Sequence, residues 1–174
     1  TTQSPTKSVQ SQFESCAAAE GKIMPNEANE ALVRRWYEEF WCQGNADAAD
    51  ELVDPDFIDH QALPGAQAGI AGLKEFVRAW RRGFPDMAGT VELLISDGDM
   101  VVGRFRLSGT HRGDFFGLAP SGRRVDVTGI DILRIRDGKS VEFWYSEDTL
   151  GLFRQLGVTP PEEGDIPGSS LAGD

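Results

Sequence analysis

Basic residues, cysteines and histidines are scarce in this 174-residue chain. Lysine and arginine together number 17 against 28 aspartates and glutamates, a formal net charge of −11. That balance argues against nucleic acid or an anionic membrane surface as partner, since both attract basic patches. The two cysteines, Cys16 and Cys42, have no metal-type spacing and make no disulfide framework. They read as free thiols of a reducing, cytoplasmic protein. The two histidines, His60 and His111, are too few and too far apart for a zinc site, so no metal and no cofactor is expected. No apolar run approaches the roughly 20 residues that span a bilayer, and the polar stretch Thr1–Gln10 has no signal-peptide core. There is no G-x-S-x-G nucleophile elbow and no glycine-rich phosphate loop.

What is present has the length and composition of one domain with a real core: 40% of residues are hydrophobic and 26% charged. Residues 1–26 are read as a polar leader, with a short helix at Val9–Glu20, and residues 158–174 as a Pro/Gly/acid-rich tail. Between them, 27–157 forms the domain. Leu32, Val33, Trp36, Tyr37, Phe40 and Trp41 recur at helical spacing and predict a helix over Glu27–Gln43, stopped by Gly44. A second helix, Ala46–Val53, is expected to be capped by Asn45 and ended by Pro55. Phe57–His60 reads as a short extended piece and Ala62–Gly72 as a loop. Leu73, Phe76, Val77 and Trp80 mark a third helix, closed by Gly83 and Pro85.

Past Pro85 the period changes from 3.6 to 2. Val91, Leu93 and Ile95 alternate with polar residues, Asp97-Gly98-Asp99 turns the chain, and Met100–His111 follows. The loop Arg112–Gly122 leads into Arg123–Arg136, and Asp137-Gly138 turns into Lys139–Glu147. Leu150, Leu152, Phe153 and Leu156 suggest a closing helical turn. Helices first, then a four-stranded antiparallel meander, define an α+β fold. A curved sheet packed on three helices would make a cone with an apolar cavity for a small hydrophobic molecule.

One strand carries an anomaly. Val125, Val127, Gly129, Asp131, Leu133 and Ile135 share a face, and Asp131 is its single ionisable group. A carboxyl buried there tends to keep its proton, which suits acid–base chemistry. A three-residue loop Arg136–Gly138 would pair Ile135 with Lys139, put Phe143 opposite Asp131, and leave Tyr145 as its diagonal neighbour. A two-residue turn would bring Trp144 to that face instead. A cavity acid beside a phenol permits removal of a proton α to a carbonyl and stabilisation of the resulting oxyanion. Asp131 and Tyr145 are therefore the candidate catalytic pair. Phe105 and Phe143 share the apolar faces, Tyr37 and Trp41 lie four apart on one helical face, and His60 and His111 are candidate substrate contacts. His111 would sit opposite Arg123 at the rim, several residues from Asp131.

The stretches Phe84–Met87 (FPDM), Ser108–Gly113 (SGTHRG), Phe116–Arg124 (FGLAPSGRR), Gly129–Lys139 (GIDILRIRDGK) and Leu152–Gly157 (LFRQLG) resemble the SnoaL-like polyketide cyclases of the nuclear transport factor 2-like superfamily, and Trp36–His60 resembles that family's first two helices. The resemblance implies a cone-shaped α+β fold and a cofactor-independent, homodimeric enzyme of natural-product (antibiotic) biosynthesis that closes a ring in a polyketide-like substrate. The histidine and aspartate positions of the anthracycline cyclases fall on Asp131 and Tyr145 here. Two substrate-facing helix positions fall on Trp41 and Ala79. Cyclase or isomerase chemistry is thus the expectation, and a non-catalytic ligand-binding or dimerisation module of the same fold is the alternative. Ile130 and Ile132, outward among arginines, point to the sheet's outer face as the dimer contact.

Overall fold

The computed structural model describes residues 24–62 and 65–158; the expected leader helix, Cys16 and nearly all of the tail lie outside the described residues. Helix α1 is Glu27–Arg35, and the Asn26 side chain caps it by accepting the Asn29 N–H at 3.2 Å. The helix does not end at Arg35. It widens into a π-helical stretch, Trp36–Cys42, that buries Trp36, Tyr37, Phe40 and Trp41. Such π turns are rare and cluster at functional sites. Gly44, at φ 69°, makes the turn that follows.

The second predicted helix is shorter than expected. A 3₁₀ turn at Ala46–Ala48 runs into α2, Ala49–Leu52, and Asn45 makes no side-chain cap. Pro55 does not end it; Val53 does, by turning extended, and Pro55 lies inside strand β1, Val53–Asp59. A proline is tolerated there because β1 is an edge strand whose free side needs no N–H donor. Helix α3, Gly69–Gly83, starts before the first predicted position, Leu73. Then come β2 (Ala88–Asp97), β3 (Met100–Thr110), β4 (Arg124–Arg136), β5 (Lys139–Glu147) and α4 (Thr149–Leu156).

The α+β class stands, with a curved, open sheet and one more strand than expected: the order is β1-β5-β4-β3-β2, and β1 pairs with β5 in parallel. Its inner face packs Val101, Leu133 and Phe143 against Trp36, Phe40, Val77 and Trp80, all nearly inaccessible to solvent. Each such side chain contributes about 1.5–3 kcal/mol of burial free energy.

Two β-bulges change what a strict period of 2 predicts. In β2 the register shifts between Val91 and Leu93, so Glu92 is the extra residue. The faces swap there. Leu93 and Ile95, expected inward, are 51% and 47% exposed, while Leu94 and Ser96 turn in. In the β4–β5 hairpin the turn is two residues, not three: Asp137 and Gly138 have φ of 50° and 72°, and Arg136 pairs with Lys139. A bulge then skips Val141, since Ile135 pairs with Ser140 and Arg134 with Glu142. The bulge undoes the face inversion that the short turn alone would cause. Tyr145, not Phe143, therefore stands opposite Asp131, and Trp144 stays on the outer face, stacked on His60.

Candidate active site

Asp131 is 3% exposed, in the middle of β4. Glycines on β3 and β4 make room around it. A Cβ at Gly103, directly across from Asp131 on β3, would meet the Tyr37 hydroxyl oxygen at 2.6 Å. The ring of Phe105 fills the space over Gly129 in the same way. Tyr37 thus reaches the sheet, where its hydroxyl faces both the Gly103 carbonyl, at 3.5 Å, and the Asp131 carboxyl. The carbonyl contact is long.

Burial pushes the Asp131 carboxyl up to about 8; the Tyr37 hydroxyl and the Trp36 indole pull it down, and the nearby carboxylates of Glu147 and Asp59 push it up. At neutral pH Asp131 holds its proton. Burial also raises Glu147, to about 7, and Tyr145, to about 12, the latter helped by the charges of Asp59, Glu147 and Asp131. Asp59 is raised as well, again by burial. The Tyr37 phenol is pushed up, first by burial and then by Asp131.

These groups surround a cavity with two parts. An outer chamber of about 350 Å³ is lined by Asp59, Leu73, Phe76, Ala79, Phe116 and Tyr145, among others. Behind it, a recess of about 20 Å³ is bounded by Tyr37, Trp41, Phe105, Asp131, Phe143 and Glu147. Phe76 and Tyr145 line both parts, their ring centroids 5.9 Å apart. That pair, in ring contact, stands between the two. The recess has room for about one water molecule. Carboxyl groups and phenols are the only ionisable side chains bounding the recess; no lysine, arginine or histidine does so among the described residues.

Seven of the nine residues predicted from sequence meet here. Asp131, Tyr37, Trp41, Phe105 and Phe143 bound the recess, Ala79 lines the chamber, and Tyr145 touches both. The histidines stand elsewhere. His60 stacks on Trp144 with centroids 4.4 Å apart, and its Nε2 meets Glu142 at 3.0 Å. His111 is 1% exposed and anchors the loop after β3: its Nδ1 accepts the Ser121 N–H at 3.2 Å. The Tyr145 hydroxyl also differs from expectation, donating to the Gln61 carbonyl at 3.1 Å. Asp131 therefore shares the recess with that ring and with Tyr37. Sequence reasoning missed Glu147 and Phe76 as site residues. Glu147 was legible as the residue two beyond Tyr145 on the same strand face.

The chain matches the SnoaL-like polyketide cyclase family over residues 31–156, and it belongs to that family. It is 30% identical over 122 residues to the nogalonic acid methyl ester cyclase of Streptomyces nogalater, covering 69% of this chain and 91% of that protein. It is 31% identical over 138 residues to the aklanonic acid methyl ester cyclase AcmA of Streptomyces galilaeus, covering 76% of this chain and 92% of that one. The structure of TsrD from Streptomyces laurentii superposes with a TM-score of 0.71 at 30% identity, over 78% of this chain and 99% of that chain.

Proposed function

We propose that this chain is a cofactor-independent cyclase of a polyketide methyl ester, with Asp131 as the acid/base group of the ring closure. The observation that carries the reading is Asp131 itself, an almost fully buried carboxyl at the end of an apolar cavity, with no ion-pair partner among the described residues. A purely ligand-binding module gains nothing from such a group, whose burial costs free energy. In ring closure one carbonyl compound loses an α-proton, the resulting carbanion forms a C–C bond to a second carbonyl carbon, and that carbonyl's oxygen becomes negative. Protonated Asp131 can hand its proton to this oxygen as charge builds there. Tyr145, directly opposite, is its partner; its hydroxyl can donate to a substrate oxygen only on leaving the Gln61 carbonyl.

The chamber suits a small hydrophobic substrate with flat rings, given Phe76, Phe116 and Tyr145 in its wall. No helix among the described residues is long and apolar enough to cross a membrane. A cytoplasmic location and a homodimer belong to the same proposal.

The test is turnover of nogalonic and aklanonic acid methyl esters, followed by chromatography of the cyclised product. We expect wild-type turnover of at least one ester. Asp131→Asn should lower kcat by about a hundredfold or more with the fold intact. An Asp131→Asn variant as fast as wild type would remove Asp131 from the mechanism.

A further inference from the structure

Ring closure needs two proton positions: one group to take the α-proton and one to supply the oxygen. Asp131 accounts for one. The inner recess holds a second carboxyl, on Glu147. In the β4–β5 ladder Tyr145 pairs with Asp131 and Glu147 with Gly129, so Glu147 is the diagonal neighbour of Asp131 on the same face. Such positions lie roughly 7–8 Å apart at the backbone, within reach of long side chains and of one substrate between them. Gly129 leaves nothing from β4 between Glu147 and the ring of Phe105. The Glu147 carboxyl has no hydrogen-bond or ion-pair partner among the described residues; the Thr149 hydroxyl donates to the backbone carbonyl of Glu147, not to its side chain. A half-buried strand carboxyl with no such partner makes no contact that the fold needs, and it borders the recess.

We infer that Glu147 is the general base of this cavity and Asp131 its general acid, the two sharing one proton across the bound substrate. The inference rests on the cyclase reading above. The Glu147 carboxylate takes the α-proton, and the C–H electron pair becomes the carbanion. Its carbon forms the new C–C bond at the second carbonyl, whose π pair moves to oxygen and takes the proton of Asp131. Glu147 ends protonated and Asp131 ionised. One proton then returns from Glu147 to Asp131, and nothing else is consumed. The burial of the two acids agrees with this division: burial raises both, and Asp131 is the more deeply buried, which favours the proton there. The titratable groups that border the recess with Glu147 are Asp131 from β4, Tyr145 from β5 and Tyr37 from the π-helical stretch. None is a cation.

The experiment compares wild type with Glu147→Gln on aklanonic and nogalonic acid methyl esters across pH 5–10. Glu147→Gln should lower kcat about a hundredfold with KM nearly unchanged. It should also abolish the acid-side limb of the kcat profile and leave the alkaline limb. Wild-type kcat with both limbs retained would overturn the assignment. Should wild type convert neither ester, the cyclase reading is what fails. Titration of the carboxyl carbons by ¹³C NMR then decides for Glu147 by itself. A midpoint near neutrality that moves in Asp131→Asn supports the shared-proton pair. An ordinary carboxylate midpoint, unmoved by that substitution, overturns it.

Discussion

Asp131 and Tyr145 stand directly opposite each other on β4 and β5, and the bulge at Val141 brings them there. Without it the two-residue turn at Asp137-Gly138 would place Trp144 across from Asp131 and turn Phe143, 1% exposed, to the outside. A single extra residue thus decides which aromatic meets the buried acid. The bulges in β2 and β5 both shift faces in this way, and the one in β5 builds the site.

Buried acids make stability fall as pH rises. Asp131 and Glu147 have folded-state values of about 8 and about 7, above their ordinary carboxylate values. Between about pH 4 and pH 8 the unfolded chain releases these protons while the folded chain keeps them. The folded state therefore binds more protons, and its stability is greatest at the acid end of this window and is lost on the way to pH 8. Every tenfold gain in proton affinity on folding corresponds to about 1.4 kcal/mol. Asp131→Asn should remove part of this slope, leaving a Tm that gains on wild type steadily from pH 5 to pH 8. Parallel Tm curves for the two proteins over that range would show that Asp131 ionises normally.

The sequence made the site legible where side chains obey a strand's alternation. The apolar stripe of β4 and its one acid were visible in residues 125–135, and so was the helical face bearing Tyr37 and Trp41. Bulges were not visible, because an extra residue at Glu92 or Val141 leaves no mark in local composition while inverting every face beyond it. Pro55 misled for a related reason. Its ban on interior strand positions lapses at a sheet edge, and edge status depends on the distant partner β5. Glu147 shares the face of Tyr145 by alternation, but a charged residue at a strand's end ordinarily reads as solvated.

The two histidines should separate stability from catalysis. His60 lies against Trp144 and Glu142, away from both parts of the cavity. His60→Ala should leave kcat within about twofold of wild type, as expected of a group that touches no reacting atom. His111 is fully buried beside Phe84 and Phe115, with its Nδ1 on the Ser121 N–H. His111→Ala would leave that N–H unpaired and open a void, costing about 1–3 kcal/mol. The expected result is a lowered Tm with wild-type kcat for the fraction that remains folded. A large loss of kcat in His60→Ala, at unchanged Tm, would require a histidine in the chemistry and refute the placement of the site.

The outer face of the sheet bears on assembly. Ile95, Val102, Ile132 and Trp144 are successive partners across β2, β3, β4 and β5, so they form one row over the sheet. Leu93 and Ile130 lie beside that row, 51% and 46% exposed. The arginines around them are already engaged within the chain, Arg104 and Arg106 by Glu92 and Arg134 by Glu142. What remains exposed is apolar, Leu93, Ile95 and Ile130 above all, and a two-fold axis through the sheet would lay each row on its copy. We therefore place the proposed homodimer contact here. Light scattering on wild type at tens of micromolar should give twice the chain mass, and Ile130→Glu combined with Ile95→Glu should give the monomer with the cavity and its chemistry intact. A wild-type protein that is monomeric at that concentration, or a double variant that stays dimeric, would put the contact elsewhere or remove it.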